Sequence, residues 1–93
     1  MKEIEQLLNK LPLAQLQSNI CLDCDGAQLY VDGTNGSLST VEVRDVDAVI
    51  HVSQEHLLAI LHGDESAVGL FTSGQITIDG DVSIAFRLKD ILG

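Results

Sequence analysis

Aromatic and cationic side chains are both scarce in this chain. It has no Trp, and aromatic residues make up only 3% of its 93 residues. The core must therefore be aliphatic, and the ring platforms that stack against unpaired bases are missing. Five Lys and Arg residues stand against 14 Asp and Glu residues, which gives a net charge of -9. This charge argues against nucleic acid as a partner and leaves at most transient contact with an anionic membrane.

Long apolar runs and targeting segments are also missing. No segment reaches the roughly 18 apolar residues that a membrane-spanning helix needs. The first five residues are acidic and carry no apolar leader, and the last three are not a peroxisomal address. We therefore expect a cytoplasmic protein. Hydrophobic residues make up 45% of the chain, enough for one modest core, so residues 1–93 should form a single domain.

The two cysteines are spaced as Cys21-x-x-Cys24, a spacing known from redox and zinc motifs. A redox pair needs its first thiol at a helix N-terminus, whereas this pair falls on a predicted strand. Strand positions three apart point to opposite faces with Cα atoms roughly 10 Å apart, too far for a disulfide. A zinc site would need a second pair of ligands. We interpret both cysteines as separate structural thiols.

The histidines and the acidic turns do not predict a metal site. His51, His56 and His62 lack the spacing that places two ligands on one helix face. The segments Asp23–Gly26 and Asp32–Gly36 resemble calcium loops only in part, because the glycine comes too early and no closing glutamate follows. Turn formation explains both segments.

Catalytic motifs are missing as well. Asp79 and Asp81 could be a pair of catalytic carboxylates, but a strand end and a helix N-cap account for them. The chain has no glycine-rich phosphate loop and no defensible Ser-His-Asp or Cys-His order. We therefore expect no enzyme activity, no catalytic residues, no metal and no cofactor.

The hydrophobic pattern predicts an α+β fold. Apolar residues with helical spacing cover residues 2–11, and further helices should begin at Ser53 and Asp81. A short helical turn is expected between the helix after Ser53 and the fifth strand. The predicted strands cover residues 20–25, 27–32, 37–43, 47–52 and 75–79. The first three strands form a meander, and the helical segment before the fifth permits a crossover. We expect a five-stranded mixed sheet with helices packed on one face.

One ordered string of residues resembles a known family. It covers about residues 47–92 and has fixed gaps: Asp47-x-x-Ile50-x-Val52-Ser53, then Leu57-Leu58-x-x-Leu61-x-Gly63, then Phe71-x-x-Gly74-x-Ile76-x-Ile78-x-Gly80-Asp81, then Ala85-x-x-Leu88. The string is similar to the sterol carrier protein type 2 (sterol-binding) domain. The chain looks like a short, bacterial-type member of that family, and its first half fits the same order of helix and strands more loosely.

The resemblance implies a lipid carrier that does no chemistry. Family members enclose an apolar tunnel between helices and sheet and hold sterols, fatty acyl chains or isoprenoid lipids. The expected partner is thus a hydrophobic small molecule of one of these classes. The alternative is an accessory interaction subunit of a lipid- or quinone-modifying enzyme complex, in which a protein partner meets the apolar cleft.

Nine apolar residues are the candidates for the tunnel wall. Without the resemblance, plain core packing would explain them all, because an apolar pattern cannot reveal a void. We expect Phe71 and Phe86 to be prominent wall residues, since the two helices that carry them should face the sheet. The candidate lipid-binding residues are Leu57, Leu61, Leu70, Phe71, Ile76, Ile78, Val82, Phe86 and Leu88.

Overall fold

The computed structural model describes residues 2–41 and 45–92. Its strands are β1 (Asn19–Cys24), β2 (Ala27–Asp32), β3 (Ser37–Ser39), β4 (Ala48–His51) and β5 (Thr77–Gly80). Its helices are α1 (Lys2–Leu8), α2 (Gln54–Leu61), α3 (Ala67–Thr72) and α4 (Ser83–Leu92), with a 3₁₀ turn at Leu13–Leu16. The third strand is shorter than the predicted 37–43, and residues 42 and 43 of that prediction lie outside the described residues.

The five strands form one mixed sheet in the order β3-β2-β1-β4-β5. The first three strands are an antiparallel meander, as the sequence predicts. The parallel pair is β1 with β4, whereas β4 and β5 run antiparallel. The segment between β4 and β5 therefore joins two neighbouring antiparallel strands, and the crossover that the helical pattern permits is not made there. The predicted α+β fold with a five-stranded mixed sheet is confirmed.

The inner face of the sheet carries the core. Ile20 and Leu22 of the central strand β1 are fully buried, and their register partners on β2 and β4 are buried too. The helices cover this face with apolar residues at helical spacing, such as Ile84, Leu88 and Ile91 of α4. The core is thus almost entirely aliphatic, which follows from the scarcity of aromatic residues.

The outer face of the sheet is mostly polar but has a buried centre. Cys21 is only 2% exposed, although alternation places it with Asp23 on the side away from the helices. Its register partners, Tyr30 on β2 and Val49 on β4, flank it from both sides. Position at the centre of the sheet, between larger neighbours, explains a burial that alternation alone does not predict.

Side chains and glycine define the ends of α2, as the sequence predicts. The Ser53 hydroxyl accepts a hydrogen bond from the backbone N–H of His56 at 3.0 Å, which is the N-cap arrangement. At the other end Gly63 has φ +81. Its N–H donates to the Ile60 carbonyl, and the Asp64 N–H donates to the Ala59 carbonyl at 2.8 Å. This is the Schellman motif, which satisfies carbonyls that the helix leaves unpaired.

The start of α4 depends on Asp81. One of its carboxylate oxygens accepts hydrogen bonds from the N–H and the hydroxyl of Ser83, at 3.0 and 2.7 Å. These bonds lower the pKa of Asp81 below its ordinary value, since they favour the charged form. The cap predicted at Asp81 is therefore present.

Gly80 is the glycine that the sheet needs most. It ends β5 with φ +115, and a Cβ at this position would lie 2.5 Å from the Asp47 carbonyl oxygen and 2.9 Å from the Ala48 Cα. Backbone atoms cannot yield as a flexible side chain does. Gly74 also has a positive φ, of +83, but no atom lies within 4 Å of its Cβ position.

We expect Gly80→Ala to lower the free energy of unfolding by about 1–3 kcal/mol more than Gly74→Ala does. Both variants carry the strain of a positive φ, so the difference isolates the clash with β4. Urea denaturation followed by circular dichroism measures both. Equal losses in the two variants would contradict a close approach of β5 to β4 at this glycine.

Candidate functional site

An apolar cavity of about 100 Å³ lies between the inner face of the sheet and helices α2, α3 and α4. The sheet contributes side chains from β1, β4 and β5, and the helices close the opposite side. Lys89 is the one charged residue in the lining, and every other lining residue is apolar. Such a cavity favours an apolar ligand, because all lining side chains except Lys89 are apolar and offer a ligand no hydrogen bond.

The structure brings seven of the nine predicted residues to the cavity wall, namely Leu57, Phe71, Ile76, Ile78, Val82, Phe86 and Leu88. Leu70 and Leu61 do not line it. Leu70 is 7% exposed and packs into the core, because it projects from α3 in a different direction from Phe71. On α2 the wall is formed by Leu57 and Ile60, and Leu61 lies beside them as a half-buried residue against the core.

Sequence reasoning missed the wall residues of β1 and β4 and the one just after β4. The cavity is lined by Leu22 of β1, by Ile50 of β4 and by Val52, which directly follows β4. Their alternation already placed them on the dry face, so the signal was present but was shared with every core residue. Ala67 and Ala85 also line the cavity, and their short side chains leave room in the wall.

The mouth of the cavity is formed by four exposed apolar side chains, which we call the apolar rim. They are Val68, Phe71, Val82 and Phe86, which are 45%, 42%, 49% and 64% exposed. Scattered exposed apolar residues are ordinary, but four of them around one apolar opening indicate a surface that meets an apolar partner.

Phe71 and Phe86 both line the cavity, but as exposed residues at its opening and not as side chains packed against the sheet. Both lie at the rim, on the open side of the cavity. The reason is visible on α4, whose sheet-facing positions are Ile84, Leu88 and Ile91 at spacings of four and three. Phe86 lies off that line and points toward the opening.

A polar cluster occupies the outer face of the sheet. His51 of β4 lies 2.9 Å from a carboxylate oxygen of Asp79 and 3.7 Å from one of Asp23. The cluster links β1, β4 and β5 beside a wide, open polar hollow of about 330 Å³. Within residues 2–41 and 45–92 no group of three His, Cys, Asp or Glu side chains is placed to hold a metal ion. We assign the cluster to cross-strand pairing.

The two cysteines lie on opposite faces of β1, as their spacing predicts, and neither is in a disulfide. Cys24 is fully buried on the inner face. Burial first, and the nearby charges of Asp23 and Asp25 after it, raise the pKa of its thiol to about 11. A raised pKa keeps the thiol protonated and therefore a poor nucleophile.

The sequence model of the SCP-2 sterol transfer family matches residues 1–93. The chain belongs to this family. SCP-2 domains bind lipids, so the apolar cavity lies in a lipid-binding domain. Comparison with curated protein sequences gives no match. No helix of the described SCP-2 domain is long and apolar enough to cross a membrane.

Solved SCP-2 structures share this fold at low sequence identity. Apo sterol carrier protein 2 of Yarrowia lipolytica has a TM-score of 0.72 and 21% identity, over 95% of this chain and 75% of its own. Palmitated SCP2L2 of Aedes aegypti has a TM-score of 0.67 and 20% identity, over 80% and 68%. The UbiJ-SCP2 ubiquinone synthesis protein has a TM-score of 0.71 and 15% identity, over 98% and 90%.

The raised pKa of Cys24 predicts how the stability of this SCP-2 domain changes in alkaline solution. The thiol has an ordinary pKa of 9.0 when unfolded and about 11 when folded, so between these values the folded chain binds more protons. The free energy of unfolding should therefore fall as the pH rises through this range. Urea denaturation at several pH values should give a steeper fall for the wild type than for Cys24→Ala. Parallel profiles would contradict the burial of this thiol.

Proposed function

We propose that this SCP-2 domain binds the hydrocarbon chain of a lipid in the apolar cavity and carries it without chemical change. The ligand is an acyl, sterol or isoprenoid lipid whose chain enters through the apolar rim. The observation that supports this most strongly is the combination of an internal cavity with a wall that is apolar except at Lys89 and a mouth of exposed apolar side chains. A domain with a purely structural core would gain stability by closing both.

The size of the cavity requires the domain to open when it binds. Its volume of about 100 Å³ lies below the roughly 300–1,000 Å³ that is usual for ligand pockets. A flexible chain fits a narrow, irregular space more readily than a rigid ring system does. Bound lipid must therefore separate the helices at the mouth or turn the rim side chains outward.

Helix α3 is the element that can move at least cost. It has six residues, less than two turns, and Leu70 is its one buried residue. It is joined to β5 through Gly74, which has a positive φ and open space at its Cβ position. A short helix with one buried anchor opens more easily than the sheet or α4.

The driving force is the removal of methylene groups from water. Each buried methylene contributes about 0.8 kcal/mol, so around ten of them give up to ~8 kcal/mol before the chain is ordered. Binding also costs several kcal/mol in lost motion, here increased by the opening of α3. We expect moderate affinity that rises with chain length.

A second function is supported by one comparison. The fold is shared with the UbiJ-SCP2 ubiquinone synthesis protein, which suggests an accessory subunit that presents an isoprenoid lipid to a quinone-modifying enzyme. In that case the apolar rim would meet a protein while the cavity holds the lipid. We propose that either function is carried out in the cytoplasm.

Ala85→Leu should weaken lipid binding by about tenfold or more, because the added carbons occupy space for about two methylenes. Ala85 lines the cavity, so the free energy of unfolding should stay the same or rise, as when a void is filled. Nile red fluorescence measures binding, because a chain without Trp has no intrinsic Trp fluorescence that could report it. Displacement by acyl, sterol and prenyl lipids then ranks the ligands.

Ala59→Leu is the matched control. Ala59 is half-buried on α2 and is not in the cavity lining, so the same substitution there should leave binding unchanged. If wild-type protein binds none of the three lipid classes, the proposed function is wrong. If Ala85→Leu and Ala59→Leu weaken lipid binding equally, the lipid does not bind in this cavity.

A further inference from the structure

We infer that Lys89 selects lipids with an anionic head group, so that the preferred ligand is a single-chain carboxylate such as a fatty acid anion. The inference rests on the proposed binding of a hydrocarbon chain in the cavity, and it adds the head group and the residue that recognises it. In this arrangement the chain lies inside the cavity and the carboxylate remains at its mouth, beside the Lys89 ammonium group.

Lys89 is placed where a head group must emerge. It lines the cavity yet is exposed, so its stem contacts apolar surface while its ammonium group reaches water. It follows Val82, just before α4, and Phe86 of α4 at spacings of seven and three, which puts all three on one side of the helix. A chain that enters past the rim therefore has its polar end near Lys89.

Lys89 is a cation without a partner in the described residues. No hydrogen bond or ion pair engages it within residues 2–41 and 45–92, although the chain has 14 carboxylates. The positions three and four residues away on α4 are Ala85, Phe86 and Leu92. Among the described residues of α4, no carboxylate lies three or four positions from Lys89, so its charge is available to a ligand.

The net negative charge of the chain makes a cation at the cavity important for binding an anionic ligand. A net charge of -9 disfavours an anionic ligand, so the site needs a local cation to accept one. Arg87 is close in sequence, but it does not line the cavity, and its guanidinium contacts the Leu16 carbonyl at 3.5 Å. Lys89 is the cation that faces the cavity.

The test compares laurate with lauryl alcohol, which share a chain and differ in charge. Each ligand is used to displace neutral Nile red from the wild type, from Lys89→Gln and from Arg87→Gln. We expect Lys89→Gln to weaken laurate binding about threefold to fivefold, the range of an exposed ion pair, and to leave lauryl alcohol unchanged. The wild-type preference for laurate should also decline as salt is added, and Lys89→Gln should lose that salt dependence.

Other results would overturn the inference in distinguishable ways. Equal loss of both ligands in Lys89→Gln would mean that the lysine acts through its stem. The same loss in Arg87→Gln would assign the effect to net charge. Unchanged binding of both ligands in Lys89→Gln would leave lipid binding intact and reject the lysine. If wild type binds neither ligand, the inference is wrong, and the proposed function fails with it only if sterol and prenyl lipids do not bind either.

Discussion

The structure depends on an apolar sheet face that aliphatic side chains alone must cover. Ile20 and Leu22 of β1 lie at the centre of that face, and β2 and β4 extend it on both sides. The two Phe residues of the chain are not used to cover it, because both lie at the rim. The four short α-helices bury only Leu and Ile side chains, and they close this face incompletely. The cavity lies where α2, α3 and α4 meet the sheet.

The local parts of the fold were predictable because short-range chemistry decides them. The hairpin between β1 and β2 follows from Asp25-Gly26, whose φ values of +57 and +90 belong to the tight turn that this pair favours. With turns at both ends, Ala27–Asp32 agrees with its predicted strand residue for residue. The caps at Ser53 and Asp81 are decided in the same way by side chains one or two residues from the helix.

Pairing between distant strands and the presence of a void were not predictable in this way. Alternation shows which residues of β4 face the helices, but not that the neighbour of β4 is β1 in parallel. Likewise, an apolar residue at the right spacing fills a core and lines a cavity equally well. Leu70 and Phe71 show the difficulty, since adjacent residues of one helix belong to the core and to the rim. The family string suggested a cavity, and packing decided its wall.

The cavity and its rim also explain how stability and binding are divided within the domain. The sheet, the 3₁₀ turn, α1 and the inner side of α4 supply the largest fully buried side chains, so they determine whether the chain folds. Helix α3 adds one buried anchor and two rim residues. Because it contributes little to the core, it can be displaced without unfolding the sheet. The incompletely closed core is therefore compatible with a folded protein, because the helix that we propose to move has the fewest buried residues of the four α-helices.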